Sequence, residues 1–366
     1  MHITFRVDAS RDIGTGHLMR CLTLAQALKE RGAKCHFIVR DHPGSLVEGI
    51  SSRGFRMWLL PTERAPLEAS APERPLPPTD APWAAAHWQT DAEQTAVILK
   101  KLQPRWLIVD HYGFDAQWES ALRLYCGSLM VIDDLADRPH YCELLLDQTF
   151  GRAAADYGPL VPQQCKVLAG AKYALLRPEF AAMREISLPR RANAPVKKLL
   201  ISMGGGDQCA TTCRVMVALQ RTALPDDCAI TVVAGTGTAC CDALRATAAM
   251  LRWAVEVKVN VRDMAGLMCE SDLAIGGAGA TSWERCCVGL PSIVIVLARN
   301  QQGVAAALRE VGAARIVPEP AEIEMHLPTE VDGLVRSAQS RSDMSRAASL
   351  VTDGSGTAAV VRTMDL

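Results

Sequence analysis

The chain has 366 residues, of which 49% are hydrophobic and 22% charged, and its formal net charge is −1. This length exceeds what one core usually holds, so we expect two domains of roughly 150–200 residues. The balanced charge argues against a nucleic-acid-binding surface and against a polybasic membrane anchor, and no apolar run is long enough to span a bilayer. The first residues lack signal-peptide architecture, so we expect a cytoplasmic protein.

Strand patterns and helical patterns alternate in the first half of the chain. Helices are predicted over residues 17–30 and 91–102. Strands buried on both faces of a parallel sheet are predicted for runs rich in Val, Ile and Leu, namely ITFRVDA, KCHFIVR, FRMWLL, WLIVDHY, LMVIDD and ELLLDQT. This alternation predicts a Rossmann-like α/β domain over residues 1–187, with the proline-rich segment 61–88 as a surface loop or flap.

The alternation restarts after residues 188–196, whose Pro, Arg and small residues predict a linker. A second Rossmann-like domain is predicted over 197–335, followed by a polar tail, 336–366, that ends in a helix. The predicted fold class is therefore α/β, with two doubly wound domains. Two such domains in tandem predict a cleft between them, with ligand sites at the carboxyl ends of the strands.

The chain has 13 cysteines and no C-x-x-C motif. Cys209 and Cys213 are one helical turn apart, but two thiolates alone are a weak signal for zinc. We therefore expect buried thiols in a reducing compartment, and no metal site.

The first glycine motif is DIGTGHLMRC, residues 12–21. Gly14 and Gly16 permit a tight strand-to-helix turn and a close approach of the backbone to a ligand. His17 then falls in the first helical turn, where the partial positive charge disfavours imidazolium, so a neutral ring could act as a general base. The alternative is a histidine that caps the helix or packs locally. The spacing lacks the third glycine of the dinucleotide-binding fingerprint.

The second glycine motif is MGGGD, at the end of the first strand of the second domain. Backbone amides at Gly204 and Gly205 could face a phosphate. An ordinary tight turn explains the pattern equally well.

The third glycine motif is IGGAGATSWERC, where a strand ends and a helix begins near residue 281. Its small residues suit a nucleotide diphosphate, and Glu284 in the first helical turn could accept hydrogen bonds from ribose hydroxyls. The alternative is an acidic side chain that only matches the helix dipole. The predicted binding residues here are Gly279, Ala280, Thr281 and Glu284.

Further polar residues follow predicted strands. Asp110–His111–Tyr112 and Asp133–Asp134 end two of them, and such positions line the ligand crevice of a parallel sheet. Arg177 in YALLRPEF and Asn300 in ARNQQ are further candidate contact residues, although each could equally be a structural hydrogen-bonding group.

With these motifs in order, the chain resembles the PseG-type hydrolases, which act on UDP-2,4-diacetamido-2,4,6-trideoxy-β-L-altropyranose in pseudaminic acid biosynthesis. The resemblance runs from residue 3 to about residue 312. It is carried by FRVDASRDIGTGHLMRCLTLAQAL, LIVDHYG, IDDLADRPHYCELLLDQT, YALLRPEF, ISMGGGD, GAGATSWE and GLPSIVIVLARNQQ. That family is related to the MurG-like glycosyltransferases and shares their two-domain GT-B architecture.

The resemblance implies that UDP binds mainly to the C-terminal domain, near Gly279–Thr281 and Glu284. It implies that His17 activates a water molecule, which attacks the anomeric carbon with inversion. It implies no metal and no cofactor. We expect a monomer whose partner is the small-molecule UDP-sugar.

The chain also departs from the family pattern. Many relatives have Asn where this chain has Ala210, and segment 61–88 is longer and richer in proline than expected. Trp88, Asp91 and Thr95 match the family element W-x-x-DA-x-x-T. These departures leave the identity of the sugar open, including a legionaminic-type precursor.

Three other functions remain as alternatives. A GT-B glycosyltransferase would use the same donor site and a similar base, but it would need a groove for its acceptor. A non-catalytic binder of nucleotide sugars would need no base. A Rossmann oxidoreductase fits least, because the spacing of the first glycine turn is wrong.

Overall fold

The computed structural model describes residues 1–10, 15–42, 47–61, 88–191, 195–204, 208–235 and 238–365. The predictions for Gly14, Gly205 and nearly all of the 61–88 loop lie outside these residues. The chain divides into two compact units. The N-terminal unit comprises Met1–Leu175 and Thr357–Leu366, and the C-terminal unit comprises Leu176–Gly356.

The N-terminal unit is built on a parallel sheet with strand order β3-β2-β1-β4-β5-β6-β7. Within the described residues its strands are β1 (His2–Val7), β2 (Lys34–Arg40), β3 (Arg56–Leu60), β4 (Trp106–Asp110), β5 (Ser128–Ile132), β6 (Leu144–Asp147) and β7 (Lys166–Ala169). Its helices before residue 175 are α1 (Gly16–Glu30), α2 (Glu48–Ser51), α3 (Trp88–Leu102) and α4 (Ala116–Leu122).

Side chains alternate across β1, and the two faces differ in chemistry. Ile3, Phe5 and Val7 are fully buried and belong to the same apolar core as Leu24 and Leu28 of α1. On the opposite face Arg6 is also buried, with 1% of its surface exposed. The sequence predicted the apolar face, but it gave no sign that the other face buries an arginine.

The C-terminal unit repeats the plan, with strand order β10-β9-β8-β11-β12-β13. In the part of this unit that the structure describes, the strands are β8 (Lys198–Ser202), β9 (Ala229–Ala234), β10 (Val255–Val259), β11 (Leu273–Gly277), β12 (Ser292–Ile295) and β13 (Arg315–Val317). Its helices are α5 (Pro178–Arg190), α6 (Cys209–Leu219), α7 (Thr238–Ala248), α8 (Met264–Glu270), α9 (Thr281–Cys287), α10 (Gln302–Glu310), α11 (Ile323–Arg336) and α12 (Ala338–Ser349). The α/β fold class with two Rossmann-like domains is confirmed.

The boundary between the units differs from the predicted linker at 188–196. The division falls after Leu175, and residues 188–190 are the last turn of α5. Ser187 donates a hydrogen bond to the carbonyl of Val288 at 2.7 Å, and Arg191 donates to the carbonyl of Ser271 at 2.8 Å. Composition suggested a linker, but these polar residues attach α5 to the C-terminal unit.

The predicted tail is also more ordered than its composition suggested. It contains α12 and a last helix, α13 (Gly356–Thr363), which returns to the N-terminal unit. Val360, Val361 and Met364 join the core beneath β1, and Trp106 Nε1 donates a 3.1 Å hydrogen bond to the carbonyl of Met364. The end of the chain is therefore part of the N-terminal core.

All thirteen cysteines are free thiols, of which eight are buried and five half-buried, so the prediction of buried thiols holds for eight of them. Among the helices that the structure describes, none is both long enough and apolar enough to cross a membrane.

The packing of α13 gives a test of the N-terminal core. Val360→Ala removes buried methyl groups, because Val360 is fully buried, and should lower the free energy of unfolding by about 1–3 kcal/mol. Val97→Ala on α3 is the matched control, since Val97 is 54% exposed, and should change it by less than about 0.5 kcal/mol. Urea unfolding followed by tryptophan fluorescence measures both, and equal effects would show that α13 does not pack on this core.

Candidate active site

The strand order of the N-terminal unit places a topological switch point between β1 and β4. The chain leaves β1 toward β2 on one side and β4 lies on the other, so the carboxyl ends of β1 and β4 open a crevice where ligands bind in doubly wound sheets. Val7 pairs with Asp110 across these two strands. The helix that follows β1 begins at Gly16, so His17, in its first turn, lies at this edge of the sheet.

One face of α1 carries the polar residues of the first glycine motif. His17, Arg20 and Cys21 are spaced i, i+3 and i+4, which places them on the same side of a helix. All three are buried, with exposed fractions of 9%, 6% and 0%. The run G-H-x-x-R-C is therefore one helical face, a signal that the sequence contained in its spacing.

This face meets the carboxylate of Asp110, which is fully buried. His17 Nδ1 lies 2.5 Å from Asp110 Oδ1. Arg20 donates from Nε to Oδ2 and from Nη2 to Oδ1, both at 2.7 Å, and Cys21 Sγ donates to Oδ2 at 3.5 Å. Burial alone would raise the pKa of Asp110, but Arg20 and His17 together, through charge and hydrogen bonds, outweigh burial and hold that pKa well below its ordinary value.

The ionised Asp110 sets the tautomer of His17. A carboxylate accepts hydrogen bonds and donates none, so the short contact requires the proton to be on Nδ1. The 3.1 Å approach of Arg20 Nη2 to the same nitrogen is then a contact between two donors, and that group donates to Asp110 instead. In the neutral ring the lone pair resides on Nε2, the atom that a general base uses.

Tyr112 and Asp134 complete the surroundings of His17. The ring of Tyr112 stands perpendicular to the imidazole, with centroids 4.7 Å apart. Burial raises the pKa of Tyr112, and the nearby carboxylate of Asp134 raises it further, so the phenol keeps its proton. Arg20 Nη1 binds Asp134 Oδ2 at 3.1 Å, and the one guanidinium therefore connects the ends of β4 and β5.

A second buried charge cluster lies at the same edge of the sheet. Arg6 binds Asp8 at 2.5 Å and Asp91 at 2.6 Å, and Arg40 binds Asp91 at 2.6 Å. These four side chains are at most 2% exposed, and their formal charges cancel. Thr95 also donates to Asp91, at 3.3 Å. The W-x-x-DA-x-x-T element therefore supplies a structural carboxylate, Asp91, that binds two buried arginines.

Two histidines face Asp8 from neighbouring elements. His111 Nδ1 accepts from the amide of Gly113 at 3.0 Å, so its Nε2 carries the proton and donates to Asp8 Oδ2 at 3.2 Å. Burial lowers the pKa of His111, which favours this neutral form. His42 Nε2 lies 3.1 Å from the same oxygen. His111, a strand-end candidate, is thus a neutral partner within this cluster.

The C-terminal unit has its own switch point, between β8 and β11, and the third glycine motif lies there. Its glycines have two different roles. A Cβ at Gly276 would lie 2.4 Å from the carbonyl oxygen of Ser202, and one at Gly277 would lie 2.8 Å from Leu297, so these two permit close packing. Among the residues that the structure describes, a Cβ at Gly279 would meet only Gln301, at 4.0 Å, and one at Gly204 would meet nothing within 4 Å. Within this described part, Gly204 and Gly279 therefore border open space.

Arg285 braces the connection from β11 to α9, a role that the sequence analysis missed. Its Nη2 donates to the carbonyl of Gly277 at 2.7 Å and to Ser282 Oγ at 3.1 Å, and its Nη1 donates to Thr281 Oγ1 at 3.3 Å. Arg285 is 2% exposed. The hydroxyl of Thr281, a predicted ligand contact, is thereby held in place from inside the unit.

Glu284 lies one turn into α9 and is half-buried. Desolvation raises the pKa of its carboxyl to about 7, although the charges of Arg177 and Arg285 act in the opposite direction. Arg177 is therefore close enough to influence Glu284, and its own Nη1 donates to the carbonyl of Arg262 at 3.1 Å. Ala280 and Asn300 are exposed.

The predicted residues thus fall into two groups. His17 and Gly16 belong to the N-terminal unit. Arg177, Gly204, Gly279, Ala280, Thr281, Glu284 and Asn300 belong to the C-terminal unit. In the ranges that the structure covers, no three His, Cys, Asp or Glu side chains are arranged to hold a metal ion.

Residues 204–358 match the family model of the glycosyltransferase family 28 C-terminal domain. The matched segment contains the third glycine motif, Glu284 and Asn300.

The curated proteins that are similar to this chain include the following two. An uncharacterised protein of Methanocaldococcus jannaschii is 24% identical over 306 residues, which is 82% of this chain and 56% of that protein. The UDP-2,4-diacetamido-2,4,6-trideoxy-β-L-altropyranose hydrolase of Campylobacter jejuni is 27% identical over 207 residues, which is 57% of this chain and 61% of that enzyme. The chain thus spans less than two thirds of the length of these relatives.

The crystal structure of MurG from Acinetobacter baumannii shares the fold of this chain. The TM-score is 0.64 at 17% identity, and the likeness covers 100% of this chain and 99% of MurG. The chain therefore has the GT-B fold. The predicted cleft between its domains stays a prediction.

The contacts of Arg20 give a test of the N-terminal group. Arg20→Met leaves the buried carboxylate of Asp110 without its main counter-charge and should lower the free energy of unfolding by about 3–5 kcal/mol. The control Arg336→Met breaks a pair whose arginine is 71% exposed and should change it by less than about 1 kcal/mol. Urea unfolding measures both, and a loss for Arg20→Met as small as the control's would contradict the role given to Arg20.

Proposed function

We propose that the protein hydrolyses a UDP-linked 2,4-diacetamido-2,4,6-trideoxy sugar at its anomeric C–O bond and releases UDP and the free sugar. The contact of His17 with Asp110 carries this proposal, because it fixes the tautomer that a general base requires. The similarity to the Campylobacter hydrolase over 57% of the chain supports the substrate class.

In the proposed reaction His17 Nε2 accepts a proton from a water molecule. The water oxygen attacks the anomeric carbon, the bond from that carbon to the UDP oxygen breaks, and UDP leaves with the electron pair. Attack opposite the leaving group inverts the anomeric configuration. Asp110 stabilises the imidazolium that forms, in the same way that a buried carboxylate supports the base of a catalytic triad.

UDP is proposed to bind to the C-terminal unit. Among the described residues, little surrounds the Cα atoms of Gly204 and Gly279, and we propose that backbone amides at these positions bind the diphosphate. The carboxylate of Glu284 is proposed to accept hydrogen bonds from the ribose hydroxyls, with Arg177, Ala280, Thr281 and Asn300 as neighbouring contacts. The match of this unit to a glycosyltransferase domain model supports a nucleotide-sugar ligand.

A glycosyltransferase that uses a UDP-sugar donor is the second candidate. The family 28 domain match favours it, and Nε2 of His17 would serve an acceptor hydroxyl as well as it serves water. The two candidates differ in whether UDP release needs an acceptor. UDP release from the diacetamido sugar nucleotide in buffer alone supports hydrolysis, and release only after an acceptor is added would replace it with transfer.

Removal of the base tests the role of His17. His17→Ala should lower kcat by at least about 10²–10⁴-fold, because a positioned general base contributes about this much, while the affinity for UDP stays unchanged. NMR with the UDP-linked sugar follows UDP and the anomer of the product. His326→Ala is the control, since this histidine of α11 forms a half-buried pair with Glu322, just before the helix, and should keep full activity. A His17→Ala variant that retains most of its activity would exclude the histidine as the base.

The raised pKa of Glu284 predicts how UDP binding depends on pH. The carboxylate form accepts the ribose hydrogen bonds, and the pKa of about 7 means that this form increases between pH 6 and pH 8. The contribution of Glu284 should therefore strengthen UDP binding by up to about tenfold over this range. Calorimetric titration with UDP at several pH values measures this change in affinity. Glu284→Gln is the control, because the titration of the UDP phosphate remains in both proteins. The same pH dependence in both would contradict the assignment of Glu284.

A further inference from the structure

Two cysteines meet at the amino ends of neighbouring strands in the N-terminal unit. Cys142 lies two residues before β6 and Cys165 lies directly before β7, and these strands pair in parallel with Leu144 opposite Lys166. The two Sγ atoms are 3.6 Å apart. A disulfide has an S–S distance of about 2.05 Å, so the two sulfurs, already in contact, must approach each other further before they bond.

We propose that Cys142 and Cys165 form a peroxide-reactive dithiol, in which Cys165 reacts first and Cys142 then closes a reversible disulfide. This site is separate from the function proposed above, and its test does not depend on any substrate.

The two thiols differ in exposure, as a reacting and a resolving cysteine should. Cys165 is half-buried and therefore reachable by a small oxidant, whereas Cys142 is only 4% exposed. Peroxide-sensing cysteines are solvent-accessible thiolates next to a resolving thiol. The geometry assigns the first role to Cys165 and the second to Cys142.

The local electrostatics favour the same assignment. The two sulfurs lie within hydrogen-bond distance, and this contact lowers the pKa of Cys165 although burial and the charges of Glu143 and Glu119 oppose it. The same contact and burial raise the pKa of Cys142. The Sγ atom of Cys165 also lies 3.8 Å from the carbonyl oxygen of Lys166, to which a protonated thiol would donate. Cys165 is thus the better nucleophile of the pair.

The proposed oxidation balances with hydrogen peroxide as the oxidant. The Cys165 thiolate attacks one peroxide oxygen, the O–O bond breaks, and hydroxide leaves, which converts Cys165 to a sulfenic acid. The sulfur of Cys142 then attacks the sulfur of Cys165, the S–O bond breaks, and the proton of Cys142 leaves with the hydroxyl group as water. The two thiols lose two electrons in total, and a dithiol reductant returns them.

The position of the pair separates it from His17. Cys142 and Cys165 lie at the amino ends of β6 and β7, whereas His17 and Asp110 lie at the carboxyl end of the same sheet. Oxidation would therefore link the segments that precede β6 and β7, and it would not alter the contacts of the proposed base.

The test uses the full chain, reduced, freed of reductant and treated with a small excess of hydrogen peroxide. Mass spectrometry after alkylation should find a linked peptide pair that contains Cys142 and Cys165, and dithiothreitol should remove it. In Cys142→Ser the reaction should stop at the sulfenic acid of Cys165, which dimedone labels. Cys126→Ser is the matched control, because Cys126 is another half-buried thiol of this unit, and it should keep the link.

A competition between thiols gives a second measurement that needs no variant. Burial raises the pKa of Cys126 to about 11, so in the native reduced protein iodoacetamide should label Cys165 at least about tenfold faster than Cys126. Absence of the link in wild-type protein, or equal labelling of Cys165 and Cys126, would overturn the proposal.

Discussion

The carboxylate of Asp110 is the constraint on which the rest of the N-terminal site depends. It is fully buried at the end of β4, where an isolated charge would be strongly destabilising, so the fold must surround it with donors. One face of α1 supplies them, through His17, Arg20 and Cys21. The same contacts fix the rotation of α1 about its axis, and they keep the ring proton of His17 on Nδ1. Stability and the proposed chemistry therefore depend on the same hydrogen bonds.

Much of the fold was predictable because apolar periodicity reports directly on burial. The predicted helix 17–30 is α1, and the Val/Ile/Leu-rich runs are strands of the two parallel sheets. The error in the domain boundary arose where the prediction was based on amino-acid composition and not on apolar periodicity. Residues 188–190 are helical although their composition suggested a linker, because polar side chains of α5 bind carbonyls of the C-terminal unit. The prediction that the polar tail ends in a helix is confirmed by α13, whose Val360 and Val361 join the N-terminal core together with Met364.

The site was predictable in part. A glycine turn followed by histidine predicted His17 as the base, which stays a prediction, and the carboxylate that His17 contacts lies 93 residues away, where only the pairing of β1 with β4 brings it close. Likewise the sequence did not separate glycines that permit close packing, such as Gly276, from glycines that border open space, such as Gly279. Both distinctions depend on contacts between distant segments, and a single sequence does not contain them.

The tautomer of His17 tests the central claim most directly. In protein labelled with ¹⁵N at histidine, heteronuclear NMR distinguishes a protonated ring nitrogen from one that carries a lone pair. The account predicts that the neutral ring of His17 carries its proton on Nδ1 and its lone pair on Nε2, and that Asp110→Asn weakens this preference. A neutral ring protonated on Nε2 in the wild-type protein would contradict the account, because the nitrogen assigned as the base would already hold a proton.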